Sequence, residues 1–229
     1  MAIAPSTDFA AELKQYIAGS SYYMANHPLV DGVYRGTIPA HQLRGWAIQD
    51  SHYRRAVPRL AMVRYLRCTD PEIQLQLAEV LAEESEGGYY GSSGHYELFL
   101  DFCEALGASR DEVNNSRPLP GPAAHVYWAE LIAWTQPWFV AMSAQLAGEG
   151  QFPAATAKMH EGLRKHYGLS DAQTAFFDVH GEADEEHGEF VENIIRKYLV
   201  TPELQAQSRA LIQRKLELQW DMWNTYLEY

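Results

Sequence analysis

Cysteine is scarce in this chain of 229 residues: Cys68 and Cys103 are the two present, and they lack CxxC spacing. A structural zinc site of four cysteines is excluded by count alone. Two isolated cysteines read as reduced, buried thiols of a cytoplasmic protein. Basic residues are also few, with 18 Lys and Arg against 30 Asp and Glu and a formal net charge of −12. Nucleic-acid binding needs a basic face, and docking to anionic membranes needs the same, so both are disfavoured. No apolar run is long enough to span a bilayer, and Met1-Ala2-Ile3-Ala4-Pro5 does not read as a signal peptide. Sustained strand alternation, internal repeats, low-complexity tracts and a dividing linker are all absent. One domain over residues 1–229 with a substantial core is expected. Its expected partners are a small-molecule substrate and, at most, a second copy of the chain in a homodimer.

What the chain does have is helical patterning broken by Gly, Pro and cap residues. A first helix is predicted over residues 8–23, with Phe9, Leu13, Tyr16 and Ile17 on one side. A short one over 29–34 ends near Gly36. Thr37-Ile38-Pro39 opens a long helix to about Cys68 that carries Leu43, Trp46, Asp50, Tyr53 and Arg54 and should kink at Pro58. Asp70-Pro71 starts another, which ends at Gly87-Gly88. Further helices are predicted from His95 to about Leu106, after the capping box Ser109-x-x-Glu112, over 123–134, from Pro137 to Gly148, over 153–167, from Ser170 or Asp171, and from Thr201-Pro202 to the C-terminus, carrying Leu204, Leu211, Leu216 and Trp220. The fold class is therefore all-α, a single compact bundle of roughly eight to ten helices. Six Trp and fourteen Tyr suit either a pocket lining or a large core.

The stretch with most chemical content is Phe177-Asp178-Val179-His180-Gly181-Glu182-Ala183-Asp184-Glu185-Glu186-His187. His180, Asp184 and His187 are spaced by four and three residues, which returns each to the same helix face. That stripe continues apolar through Phe177, Val191 and Ile194, so two imidazoles and a carboxylate point toward the core. Burying them without partners would cost several kcal/mol, so a metal ion or a fully satisfied hydrogen-bond network must compensate. Other carboxylates can converge on them. Glu84 falls on the inward stripe of Ile73, Leu77 and Val80, with Glu83 to one side, and His95 opens the next helix across a Gly-rich loop. Glu149 sits at a break in Gly148-Glu149-Gly150-Gln151-Phe152-Pro153, where irregular backbone can present a ligand. Glu182, Glu185 and Glu186 read as a solvated face. Glu130 reads equally as an inward carboxylate or a surface one.

These features together resemble the haem-oxygenase-like di-iron oxidases. This group includes the Chlamydia protein associating with death domains and shares its fold with pyrroloquinoline-quinone synthase and the TenA (thiaminase II) proteins. The marks are Asn26-His27-Pro28, Glu83-Glu84 with His95, Glu149-x-Gln151-x-Pro153, Gly162-Leu163, Tyr167-Gly168 and Phe176-Phe177 leading into His180-x3-Asp184-x2-His187. They cover nearly the whole chain. The resemblance implies a haem-oxygenase-like fold with Glu84, His95, Glu149, His180, Asp184 and His187 as ligands of two Fe²⁺ ions. Asp184 or Glu149 would bridge the ions, and dioxygen would be the co-substrate. It also implies a small amino-acid-like or amine substrate, undergoing N-oxygenation, desaturation or oxidative C–C cleavage. Asp50 and Tyr53 match the substrate-facing helix of that fold, as binders of an amine and a polar group. Met159 stands where aminobenzoate-forming members carry the lysine of Lys-x-x-Gly-Leu, with Lys158 one step away. No additional carboxylate occurs over residues 57–62. Two other readings remain: a metal-free enzyme of the quinone-synthase or thiaminase kind using carboxylates as acid and base, and a non-enzymatic helical interaction protein.

Overall fold

The computed structural model describes residues 8–86 and 94–228, with the side chains of residues 86 and 180–187 outside the described set. Among the described residues there are twelve α-helices and no strand. They are α1 (Phe9–Ala18), α2 (Pro28–Arg35), α3 (Ala40–Arg67), α4 (Pro71–Glu86), α5 (His95–Ala105), α6 (Arg110–Asn115), α7 (Pro120–Thr135), α8 (Trp138–Ser143), α9 (Leu146–Glu149), α10 (Phe152–Tyr167), α11 (Ala175–Tyr198) and α12 (Pro202–Leu227). Among the described residues, no helix is long and apolar enough to cross a membrane.

The starts follow the capping chemistry of the sequence. The Asp8 carboxylate accepts from the amides of Ala10 and Ala11, Ser109 from Glu112 and Thr201 from Leu204. Asp70 accepts from Glu72 and Ile73 ahead of Pro71. Each satisfies amides that have no partner within the helix. Helix α1 is shorter than the expected 8–23: Gly19 closes it after Ala18, and residues Met24–Asn26 form a separate 3₁₀ turn. Helix α7 starts earlier than predicted, at Pro120. Its prolines fall in the first turn, where a missing N–H leaves nothing unsatisfied. The single helix expected from Pro137 to Gly148 is two short ones, α8 and α9. Both give short turns within a tightly buried segment, which raises the helix count above the eight to ten expected.

Helix α3 is the axis of the fold and packs against α4, α5, α7 and α12. Helix α11 runs on the other side of the interior against α5, α8, α9 and α10. Two apolar clusters result. One joins α2, α3, α5, α10 and the start of α11 to the end of α12, around Trp46, Phe99, Phe102, Phe176, Phe177 and Trp223. The other joins α1, α4, α8 and α9 to the later part of α11 and to α12, around Leu13, Ile17, Leu146, Ile194, Ile195 and Leu216.

Several of the sequence marks prove to be fastenings. His27 caps α2 by accepting from the Leu29 amide (3.0 Å), while its other nitrogen donates to Asn224 on α12 (3.2 Å). Burial holds its pKa down to about 4, so it is neutral in the cap. The Tyr167 hydroxyl bonds both backbone groups of Ile38. Gly162 lies where α10 crosses α2, and a Cβ there would sit 2.7 Å from Tyr34 Cα and overlap the Val33 carbonyl. Gly162→Ala is therefore expected to destabilise the fold by about 2 kcal/mol, since overpacking against backbone has no flexible group to yield. A urea midpoint equal to that of the unsubstituted chain would show that α2 and α10 can part at no cost.

Candidate functional site

A buried cavity opens where α3, α4, α5, the α9 turn and α12 meet, walled by Tyr53, Arg54, Arg64, Glu84, His95, Glu149, Lys215 and Gln219. It has a volume of about 80 Å³. On a measure where one water needs roughly 10–15 Å³, that holds about half a dozen waters. Phe152 and Phe176 close its apolar side, and Val57, Ala61 and Val80 complete the wall.

The acidic and imidazole side chains arrive by distinct local devices. Glu84 lies near the end of α4 and His95 at the first position of α5. His95 Nδ1 and Glu84 Oε2 lie 3.1 Å apart, so the pair expected across the loop is formed. Glu149 ends the four-residue helix α9. The turn behind it is pinned by Gln151, whose carbonyl oxygen accepts from the Met24 amide (2.7 Å) and whose amide donates to the Ala147 carbonyl. Gly150 permits that turn, because a Cβ there would lie 2.6 Å from the Leu146 carbonyl oxygen.

His180, Asp184 and His187 lie on the helical backbone of α11, but their side chains are outside the described residues. Helix α11 does pack against both α5 and α9, which carry His95 and Glu149. Among the described residues, no three His, Cys, Asp or Glu side chains lie close enough together to hold a metal ion. The donors that the wall does provide are carboxylate oxygens and an imidazole nitrogen, types that suit iron or manganese.

Asp50 and Tyr53 separate in role. Tyr53 lines the cavity, and burial raises its phenol pKa, with Arg54 opposing, so it stands as a protonated donor. Asp50 was expected to face substrate; instead it lies behind the wall, buried, bonded to Arg54 (2.8 Å) and to the Tyr226 hydroxyl (3.0 Å). A carboxylate at that depth needs such partners, which is why it turns inward to α12. Glu130 pairs with Arg59 on the surface side of α7. Lys158 donates to the Ala25 carbonyl (2.8 Å), and Met159 is buried in the core, so neither lines the cavity.

Among the wall residues that escaped sequence reasoning are Arg64, Lys215 and Gln219. The buried stripe of α12 runs Ser208, Ile212, Lys215, Gln219, Met222 and Tyr226. This is the same four-and-three spacing that made His180, Asp184 and His187 conspicuous. Of the apolar residues that marked this helix, Leu216 is buried, while Leu204, Leu211 and Trp220 are only partly so. The legible signal was a lysine and a glutamine inside an apolar repeat. Gly148 leaves room for the lysine, since a Cβ there would lie 3.2 Å from its Nζ. Burial and repulsion from Arg64, opposed by Glu149, bring the Lys215 ammonium down to about 7.

The all-α architecture is that of the haem-oxygenase-like proteins. A Shewanella denitrificans domain described as having a heme oxygenase-like fold superimposes with a TM-score of 0.82 at 17% identity, covering 97% of this chain and 94% of that one. The sequence profile of a family described as iron-containing redox enzyme matches residues 44–220, and the chain belongs to that family. Among its relatives, a 4-aminobenzoate synthase of Nitrosomonas europaea is 28% identical over 210 residues, covering 87% of this chain and 84% of the relative. A pyrroloquinoline-quinone synthase of Cronobacter sakazakii is 25% identical over 226 residues, covering 94% and 84%.

His125 on α7 stacks beside Tyr53, with ring centroids 4.8 Å apart. It is fully buried, and neither ring nitrogen has a hydrogen-bond partner among the described residues. Burial, with repulsion from Lys215 and Arg54, holds its pKa down to about 3. The ordinary imidazole pKa is 6.5, so below that the unfolded chain takes up a proton that the folded one refuses. The stability His125 contributes is full above 6.5 and drains away as pH falls toward 3. Between pH 7 and pH 5 the unsubstituted chain should lose about 2 kcal/mol through this residue. His125→Leu should remove that part of the slope in urea unfolding, while His27 and His52, both held near 4 by burial, keep theirs. Parallel pH profiles for the two proteins would show that His125 is not a buried neutral imidazole.

Proposed function

We propose that this chain is a non-haem di-iron oxidase that uses dioxygen to oxidise a small amino-acid-like or amine metabolite. N-oxygenation, desaturation and oxidative C–C cleavage are the reactions it could perform. The observation that carries this reading is the meeting of Glu84 and His95, at 3.1 Å, on the wall of a cavity that also takes Glu149 and lies beside α11. Membership of a family of iron-containing redox enzymes supports it. Glu84, His95, Glu149, His180, Asp184 and His187 would hold the two ions. The chemistry that a pair of ferrous ions supplies there is dioxygen activation, which side chains alone do not provide.

The protein's own part is positioning and exclusion. Phe152 and Phe176 keep bulk water from the apolar side of the cavity. Tyr53 offers a phenolic proton to a polar group of the substrate. Asp50 acts one step back: it fixes Arg54, whose guanidinium lies over the rings of Phe152 (4.8 Å) and Phe176 (4.9 Å) and so sets where those two walls stand.

Anaerobic reconstitution with ferrous iron should load about two ions per chain, because three imidazoles and three carboxylates overfill a single open site. His187→Ala should lower that content and abolish oxygen consumption while far-ultraviolet circular dichroism stays helical, since Ala favours helix. Saturation at one ion or none sinks the di-iron reading, and would leave the carboxylates as acid and base of a metal-free enzyme.

A further inference from the structure

Two cationic side chains of the cavity wall, Lys215 and Arg64, make no close ion pair among the described residues. Lys215 is 3% exposed, and its hydrogen bond among the described residues is to a neutral amide, Gln145 Oε1, at 3.1 Å. Arg64, one α3 turn beyond Ala61 on the same wall, makes no side-chain hydrogen bond or ion pair among the described residues. One turn along α12 from Lys215, Gln219 is 4% exposed and its carbonyl oxygen has no hydrogen-bond partner. Arg54 differs from these: it is neutralised by Asp50. A buried ammonium and a buried amide carbonyl without matched partners, beside a half-buried guanidinium, are costly to the fold. The carboxylates that share the wall, Glu84 and Glu149, are those assigned above to iron. Glu149 and Glu84 are the charges that face Arg64, and Glu149 the one that faces Lys215, so committing both carboxylates to iron would leave the two cations without a counter-charge of their own.

We propose that Arg64, Lys215 and Gln219 form the substrate-recognition wall of the cavity and select a small amino carboxylate, whose carboxylate pairs with Lys215 and Arg64 and whose N–H donates to Gln219 Oε1. The inference rests on the di-iron reading in one respect, the commitment of Glu84 and Glu149 to metal. A cavity with room for about half a dozen waters limits the ligand to a small metabolite. Specificity would come from what is left unpaired otherwise. An amine lacking the carboxylate leaves both cations bare, and an acid lacking the amine leaves Gln219 unsatisfied. Gly148 belongs to the same design, because any side chain there would press on the Lys215 ammonium.

Matched ligand pairs test this by isothermal titration of the full chain, metal-free and anaerobically iron-loaded: 4-aminobenzoate against aniline, L-lysine against cadaverine, and L-alanine against ethylamine, with benzoate as the acid lacking an amine. At least one amino acid of the panel should bind, and its decarboxylated partner at least tenfold more weakly. Lys215→Met and Arg64→Met should each weaken the acid by about tenfold and leave the amine unchanged, as loss of one charge-assisted bond requires. Gln219→Leu should weaken 4-aminobenzoate but not benzoate. Lys215→Met should also melt higher than the unsubstituted chain, because it removes a buried ammonium that serves the ligand and not the fold. A lower melting temperature would mark Lys215 as a structural residue and overturn its assignment. Equal binding of acids and amines, indifference to Arg64→Met, or no binding by any acid in the panel overturns the wall as a whole. Iron content measured on the same preparations separates the two proposals. Lost iron with retained acid binding removes the di-iron reading alone, and full iron loading without acid binding removes this one.

Discussion

The ion pair of Asp50 and Arg54 is the contact on which the rest of the interior depends. Both residues sit on α3, one turn apart, and the pair is almost wholly removed from water. Taking two charges out of water is expensive, and the structure compensates from several directions at once. Tyr226 reaches from the last turns of α12 to donate to Asp50, and burial beside that carboxylate keeps its own hydroxyl protonated. The faces of Tyr53, Phe99, Phe152 and Phe176 surround the guanidinium at 4.8–5.7 Å. These rings come from α3, α5, α10 and α11. One arginine therefore fixes the spacing of five helices, counting α12 through Asp50. Removing one partner of such a buried pair typically costs about 3–5 kcal/mol, because the other charge is stranded.

The cavity exists because that arrangement stops short of complete packing. Beyond Arg54 the α3 wall continues as Val57, Ala61 and Arg64, and the facing α12 wall as Lys215 and Gln219. Small and polar groups at these positions leave a space that an apolar core would fill. Around it, Glu84, His95 and Glu149 stand toward α4, α5 and the α9 turn, and Arg64 and Lys215 toward α3 and α12, both facing the Glu149 charge. The stability given up to bury these groups is the common cost of a binding site within a folded interior.

Much of this was legible in the sequence, wherever local chemistry decides. Asp70-Pro71, the Ser109 capping box and Thr201-Pro202 placed helix starts within a residue of where they fall, because caps act through backbone amides close at hand. The encounter of Glu84 with His95 followed from one inward stripe and one short loop. Asp50 was harder, since its environment is set by Tyr226, 176 residues away. The resemblance placed it on the substrate-facing helix, but could not show which partner waits there. Lys215 and Gln219 were visible in principle as polar residues inside an apolar repeat, and were hidden because Leu216 and Trp220 offered a more hydrophobic stripe beside them. Asn26-His27-Pro28, Gln151 and Tyr167 carried the resemblance without touching the cavity: they cap, pin and fasten the helices that form it.

The most direct measurement of the site's occupant is anomalous X-ray scattering at the iron edge from crystals of anaerobically iron-loaded protein. Two iron peaks inside the cavity, one within bonding distance of Glu84 and His95 and both within reach of Glu149 and of α11, are the expected result. Iron found only outside that cavity, or a cavity without iron in which the Glu84–His95 hydrogen bond persists, would contradict the assignment.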